Sequence, residues 1–336
     1  MVKVSILIPT FNRAEILKRA IISAFNQDHE NLEVIVSDNA SNDNTQEIVS
    51  EFLEDNRFKY YKNEENIGLV NNCKKLVFDY MTGEYFIILG DDDYLIKNDY
   101  ISKVINLFEN NNNVLIVFSY WYLYFKDIDK KNEIKYDFNE IEDGKTVFMD
   151  YLKFRNPSMS NTVFNREFAL KTDAFNNENN NAFDLILILK ACLCGDVGLI
   201  REFSSVDTSH SGSLSRNLSK NYDYIINSVN HVVEPYNLAI RYNKLSDDEK
   251  YDWENRVILR VFLSTVSSVL FFFPERFQNT LIFLERKNNG VFQSLVNDNV
   301  YYKLIVFLNK IHLFRSFYKI LYYFYMLYDF YMLYKF

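Results

Sequence analysis

Glycine is scarce, with eight in 336 residues. None forms a Gly-x-Gly-x-x-Gly turn after the first apolar run, which excludes the usual dinucleotide-dependent oxidoreductase. Pro9-Thr10-Phe11-Asn12-Arg13 stands there instead, so the glycine-rich basic loop of a nucleotidyltransferase is missing too. Cysteine is scarcer still. Cys73, Cys192 and Cys194 are odd in number, and the last two are spaced too tightly for a usual zinc pair, so a disulfide framework is not expected and a reducing cytosol is. Basic residues are outnumbered, 37 Lys and Arg against 45 Asp and Glu, for a net charge of -8. That balance argues against nucleic acid as the main partner. No signal peptide is expected, because the run Val4 to Ile8 is short and stops at Pro9. No uninterrupted apolar stretch reaches bilayer length, the longest being Val261 to Phe273 between Arg260 and Pro274.

What the chain does hold is apolar and aromatic material for a large core, 48% and 17% of residues. One stretch stands out. Tyr85-Phe86-Ile87-Ile88-Leu89 reads as a buried strand, and Gly90-Asp91-Asp92-Asp93 follows it. Three adjacent carboxylates raise one another's pKa unless something positive sits among them. A hard divalent cation, Mg or Mn, is the usual partner for such oxygens. The alternative is a solvated Asp-rich turn that caps the next helix.

Periodicity predicts strands at Val2–Pro9, Leu32–Ser37, Phe58–Tyr61, Tyr85–Leu89 and Val114–Tyr124. Helices are expected at Arg13–Asn26, where Asn12 and Glu15 would form a capping box, at Thr45–Leu53, from Asn66-Ile67-Gly68 to Tyr80, and at Asp99–Glu109. Such alternation indicates an α/β fold with a doubly wound, mostly parallel sheet. Ligands of such sheets sit at the strands' carboxyl ends, and both Asp38 and the acidic triplet lie there. Lys126–Lys145 reads as a loop or hairpin, Thr146–Phe154 as a short helix, Thr162–Phe164 and Val197–Arg201 as strands. The apolar run after Asp184 is long enough for a helix closed by Gly195. From about Lys220 the pattern becomes helical: Tyr222–Tyr242, Ser246–Phe273, Pro274–Lys287 and Val291–Tyr334.

Four motifs in order, Pro9-Thr10-Phe11-Asn12-Arg13, Asp38-Asn39-Ala40-Ser41-Asn42-Asp43, Asn66-Ile67-Gly68 and Gly90-Asp91-Asp92-Asp93, resemble those of family 2 glycosyltransferases with the GT-A fold. The resemblance covers roughly residues 2 to 216. It implies a Rossmann-like GT-A catalytic domain over 1–219, with a nucleotide-sugar half at 1–125 and an acceptor half at 126–219, followed by a helical region over 220–336. It also implies inverting transfer from a nucleotide-diphosphate sugar to an acceptor hydroxyl. Pro9, Thr10, Arg13 and Asn66 would border the nucleotide. Asp38 would accept a hydrogen bond from a pyrimidine, which implies a UDP-sugar; its alternative is a turn-capping role. Asp43 fits a turn cap better than a ligand.

Family members usually carry Asp-x-Asp, and here Gly90 takes the first acid's place. By resemblance to members with adjacent acids, Asp92 is the leading ligand of a Mn or Mg ion, with Asp93 beside it, and Asp91 touches the ribose or shares the metal. Asp184, with Leu187, Leu189 and Gly195 at family spacing, would be the catalytic base, although Phe183 replaces the usual Glu. His210 resembles the histidine that completes the metal shell, and Arg216 would reach the diphosphate.

The implied partners are a UDP-sugar donor and a glycan or glycolipid acceptor of cell-surface polysaccharide synthesis. The basic, Tyr-rich C-terminal segment fits either a peripheral contact with the cytoplasmic face of the membrane or a homodimer. The competing function is a non-catalytic nucleotide-sugar-binding module on the same fold.

Overall fold

The computed structural model describes residues 1–152, 157–172, 174–175, 182–213 and 221–310. The chain divides into two compact units, Met1–Asn217 and Leu218–Phe336.

The first unit is built on one ten-stranded mixed sheet. Its strands are β1 (Val4–Thr10), β2 (Leu32–Asp38), β3 (Phe58–Lys62), β4 (Tyr85–Ile88), β5 (Tyr94–Leu95), β6 (Val114–Phe125), β7 (Lys130–Ile134), β8 (Ile141–Glu142), β9 (Val163–Asn165) and β10 (Asp196–Ser209). The order is β3-β2-β1-β4-β9-β6-β10-β5, with β7 on β6 and β8 on β10. The ladders among β1, β2, β3 and β4, and between β6 and β10, are parallel. Between the two parallel blocks β9 runs antiparallel to both neighbours. Val4, Ile6, Ile8, Val34, Val36, Ile87 and Leu89 are buried with the helix residues Leu17, Ala20, Ile21 and Ala24 in one core cluster. Each of the Val, Leu and Ile side chains contributes roughly 1.5–3 kcal/mol by leaving water.

Helices fill the crossovers: α1 (Ala14–Phe25), α2 (Thr45–Ser50), α3 (Leu69–Lys75), α4 (Tyr100–Asn110), α5 (Gly144–Met149), α6 (Arg166–Lys171) and α7 (Phe183–Cys194). Three of them depart from the periodic expectation. Helix α1 begins one residue late, because Asn12 is not its cap. Asn12 has φ 53, and it exchanges hydrogen bonds with the next turn, its N–H to Ser41 Oγ and its Oδ1 from Asn42 N–H, both at 2.8 Å. Asp43 caps instead, accepting from the Ala14 N–H at 2.9 Å. The helix expected to reach Tyr80 changes to a π turn at Leu76–Tyr80. Helix α7 is buried on all sides from Ile186 to Leu193, as an apolar core helix must be. Gly195 ends it in extended backbone, φ -164, not in a left-handed cap. Its small size serves a close approach: a methyl on Gly195 would collide with the Asn113 carbonyl and the Leu115 side chain, and one on Gly144 with the carbonyls of Gly195 and Cys192.

The second unit is helical over its described residues, with helices at Tyr222–Asn227, Asn230–Arg241, Phe277–Lys287, Asn289–Asn297 and Val300–Lys310. Ser246 and Glu249 form a reciprocal capping box at the start of the longest helix. That helix, Asp247–Phe272, is 26 residues long and, by length and composition, could cross a membrane. The apolar stretch that looked too short is therefore part of a longer helix, continuous through a π turn at Glu254–Ile258. Trp253, Val257, Phe262, Val266 and Leu270 along it are fully or almost fully buried, so one face of the helix packs in a core. The C-terminal expectation beyond residue 310 lies outside the described residues.

Candidate active site

Register places the site. Thr10 and Asp38 pair at the ends of β1 and β2, and Leu89 N–H donates to Leu7 O, so the Gly90–Asp93 turn emerges beside Pro9 and Thr10. The three carboxylates of that turn point to three different environments.

Asp91 is buried against β1 and α1. It accepts from Thr10 Oγ1 at 2.7 Å and from Arg13 Nη1 at 2.9 Å. Burial pushes its pKa up to about 6 although Arg13 opposes the shift. Asp92 keeps 15% of its side chain exposed and takes two partners on Oδ2, Arg13 Nη1 at 3.0 Å and His210 Nε2 at 3.2 Å. Asp93 turns inward and accepts from Ser160 Oγ at 2.5 Å and Thr208 N–H at 2.8 Å. Burial first, then Asp207 and Asp92, raise its pKa well above the carboxylate range. Asp93 is thus directed away from the Asp92–His210 face on which it was expected to stand.

Arg13 closes a ring of contacts. Its other nitrogen donates to Gly212 O at 3.1 Å, and Gly212 N–H donates to His210 Nδ1 at 3.1 Å. A backbone N–H only donates, so the His210 proton sits on Nε2 and faces Asp92.

The fold family implies a divalent metal, and the residues present fit one. Among the described residues no group of three or more His, Cys, Asp or Glu forms a protein-only metal site. Asp92 and His210 offer one carboxylate and one imidazole, both partly exposed. A hard cation that takes most of its oxygens from substrate phosphates needs no more.

Asp38 is closed off from solvent. Oδ1 accepts from Ser41 N–H and Oδ2 from the Tyr60 hydroxyl, each at 2.7 Å. These are the contacts of the turn-capping alternative, and as folded the carboxylate faces Tyr60 and not an open groove. Asn66 is exposed, and its Oδ1 accepts from Asn39 Nδ2 at 2.8 Å and Gly68 N–H at 3.0 Å. Asp184 is the second residue of α7 and accepts from the backbone N–H of Leu185. Burial pushes its pKa up to about 6. No described hydrogen bond or ion pair joins it to the acidic turn; the buried Cys73 thiol is what feels its charge. Arg216 lies outside the described residues.

Sequence reasoning passed over three residues. Tyr60 locks Asp38, and its alternation on β3 gave no hint of that. Asp207, on β10, lies beneath the turn near Asp93; burial, then the Asp92 charge, push it up to about 7, against a hydrogen bond from Ser158. An acid within the strand-like run Ser204–Thr208 was the signal available. Arg19 reaches from α1 to the Asp92 carbonyl at 2.6 Å, and nothing in the sequence marks it.

Comparison with known proteins matches this region. The glycosyl transferase family 2 model matches residues 5–171. A GalNAc(5)-diNAcBac-PP-undecaprenol beta-1,3-glucosyltransferase of Campylobacter jejuni is 34% identical over 182 residues, 50% of this chain and 56% of that protein. An uncharacterized glycosyltransferase of Methanocaldococcus jannaschii is 33% identical over 166 residues, 46% of this chain and 54% of its own length. The chain thus spans about half the length of these curated relatives. Among solved structures, S. aureus TarS 1–349 in complex with UDP-GlcNAc is similar with a TM-score of 0.58 at 15% identity, covering 87% of this chain and 90% of that one. A Pyrobaculum calidifontis mannosyltransferase in complex with GDP-Man and Mn2+ has a TM-score of 0.53 at 15% identity, covering 95% and 87%. These structures share the GT-A fold, and with the turns that carry its acidic cluster inside the matched region, the chain belongs to glycosyl transferase family 2.

Proposed function

We propose that the protein is an inverting, metal-assisted glycosyltransferase that moves a sugar from a UDP-sugar to a hydroxyl of a growing glycan, lipid-linked or destined for the cell surface. The observation that carries this reading is the meeting of Arg13, Asp92 and His210 at the carboxyl ends of β1, β4 and β10. The UDP-GlcNAc complex of TarS and the lipid-linked substrate in the name of the Campylobacter relative support the donor and acceptor classes.

In this reading Asp92 and His210 hold a Mn or Mg ion, which when bound neutralises charge on the departing diphosphate. Arg13 turns its guanidinium to the same oxygens. Pro9 and Thr10 wall the nucleotide, and Thr10 also keeps Asp91 in place for the ribose. Asn66 borders the nucleotide from the loop after β3. Asp38 acts by fixing the Asp38–Ser41 turn beside the base, with Tyr60 behind it. Asp93 supports Asp92 from within. Asp184 takes the acceptor proton as the hydroxyl attacks C1, and its raised pKa suits a general base working near neutrality. Arg216 completes the diphosphate contact. The catalytic region is residues 1–219 and the helical region 220–336 serves a membrane surface or a second copy, so that the protein works at the cytoplasmic face of the membrane.

Release of UDP from a panel of UDP-sugars, with manganese and with EDTA, tests this. Slow hydrolysis of one donor that requires metal and disappears in Asp92→Ala is the expected result. Metal-dependent UDP binding with no turnover on any candidate glycolipid would make the protein a binding module instead.

A further inference from the structure

We infer that Arg19 is a positioning residue for the metal and diphosphate side of this site; the inference rests on the metal-assisted reading above. Arg19 lies on the exposed side of α1, and its Nη2 donates to the acidic turn and to β10 at once. One bond goes to the backbone carbonyl of Asp92 at 2.6 Å, the other to Thr208 Oγ1 at 3.3 Å. The guanidinium is stacked over the Tyr94 ring, 4.1 Å from its centroid, which fixes the plane of the fork.

The two places that Arg19 ties together are those that carry Asp92 and His210. Thr208 is two residues before His210 on the strand that delivers it, and its N–H holds Asp93 from inside. Asp93 is therefore the inner clamp between the acidic turn and β10, and Arg19 the outer one. The inner clamp uses a carboxylate that has no freedom left. The outer clamp uses an exposed cation whose contribution to global stability is small, since solvent screens it. Its effect is local. It sets the separation of two groups whose usefulness to a cation depends on their mutual distance. A Lys at this position cannot reproduce it, because one ammonium lacks the planar fork that stacks on Tyr94 while bonding to the carbonyl.

Mn2+ binding in the presence of UDP, followed by the EPR signal of free Mn2+, separates local positioning from mere support. Arg19→Ala is expected to weaken Mn–UDP binding about tenfold, the scale for groups that orient metal ligands. The metal concentration for half-maximal UDP-sugar hydrolysis should rise in parallel, with a smaller loss of kcat at saturating metal. Arg19→Lys should recover part of the affinity, and Tyr94→Leu should lose less than Arg19→Ala; both stand in if the alanine variant does not fold. Wild-type affinity in a folded Arg19→Ala, or a loss that tracks only a lower melting temperature, would overturn the inference alone. Absence of Mn–UDP binding by the wild-type protein would overturn the metal-assisted reading and this inference together.

Discussion

The His210 imidazole and the Asp92 carboxylate, 118 residues apart, meet at 3.2 Å. Their meeting depends on two strands that do not touch each other. β4 delivers Asp92 through the Gly90 turn and β10 delivers His210, with β9 and β6 between them in the sheet. Bonds from Arg13, Arg19, Asp93 and Thr208 bridge that gap.

Asp92→Ala should remove metal-dependent hydrolysis, lowering kcat/KM by at least about a hundredfold, the scale for losing a principal charge-stabilising group. Asp93→Ala should instead lower the melting temperature, because Ser160 and Thr208 lose a buried acceptor at roughly 1–3 kcal/mol. Thermal unfolding and metal titration of both variants distinguish the two carboxylates.

The pH profile should report Asp184. A base must be deprotonated, so with a pKa near 6 the rate should fall as pH drops through about 6. Asp184→Asn should abolish turnover while UDP binding, measured by calorimetry, stays within about twofold. A profile whose acidic limb survives in that variant would assign the base elsewhere.

Glu33 should contribute to acid stability. It is 2% exposed and receives hydrogen bonds from Lys59, Ser5, Thr82 and Lys3; these overcome burial and hold its pKa down at about 2. A depressed pKa stabilises the fold above the unfolded value near 4.5 and ceases to do so as pH falls toward 2. The Glu33→Gln variant should therefore lose on the order of 3 kcal/mol at pH 7 and much less near pH 2. Urea unfolding at the two pH values measures the difference.

Gly144→Ala should destabilise the first unit by about 1–3 kcal/mol or more, because the methyl meets backbone carbonyls that cannot turn away. A Gly290→Ala control, where the nearest atom is a side-chain oxygen at 3.6 Å, should be close to neutral.

The C-terminal segment sets membrane contact in the proposed reading. Deleting residues 311–336 should reduce co-sedimentation with anionic liposomes and leave the hydrolysis of free UDP-sugar unchanged. Undiminished binding would assign the segment to another role.

Much of this was legible in the chain. Short apolar runs located β1, β2, β4 and β6, run length with a closing glycine located α7, and the order of the turns indicated the family. The rest depends on contacts that local pattern does not encode. The place of β9 is a long-range pairing choice. Asn12 lost its capping role to a tertiary bond with the Asp38–Asp43 turn. The triplet looked like one repelling cluster because the three acids are consecutive in the chain, yet in a tight turn they share no direction. Tyr60 and Arg19 act at a distance through another residue's backbone or carboxylate, and no spacing announces that.

The inward Asp93 has a consequence for evolution of the site. Of the three acids only the middle one combines solvent access with a partner set that a ligand can replace. In the proposed reading, selection on metal preference has one adjustable position in this turn, flanked by Asp91, which is tied to Thr10 and Arg13, and by Asp93, which answers to folding. A saturation library over 91–93 should therefore yield soluble protein with altered metal preference almost wholly from changes at residue 92.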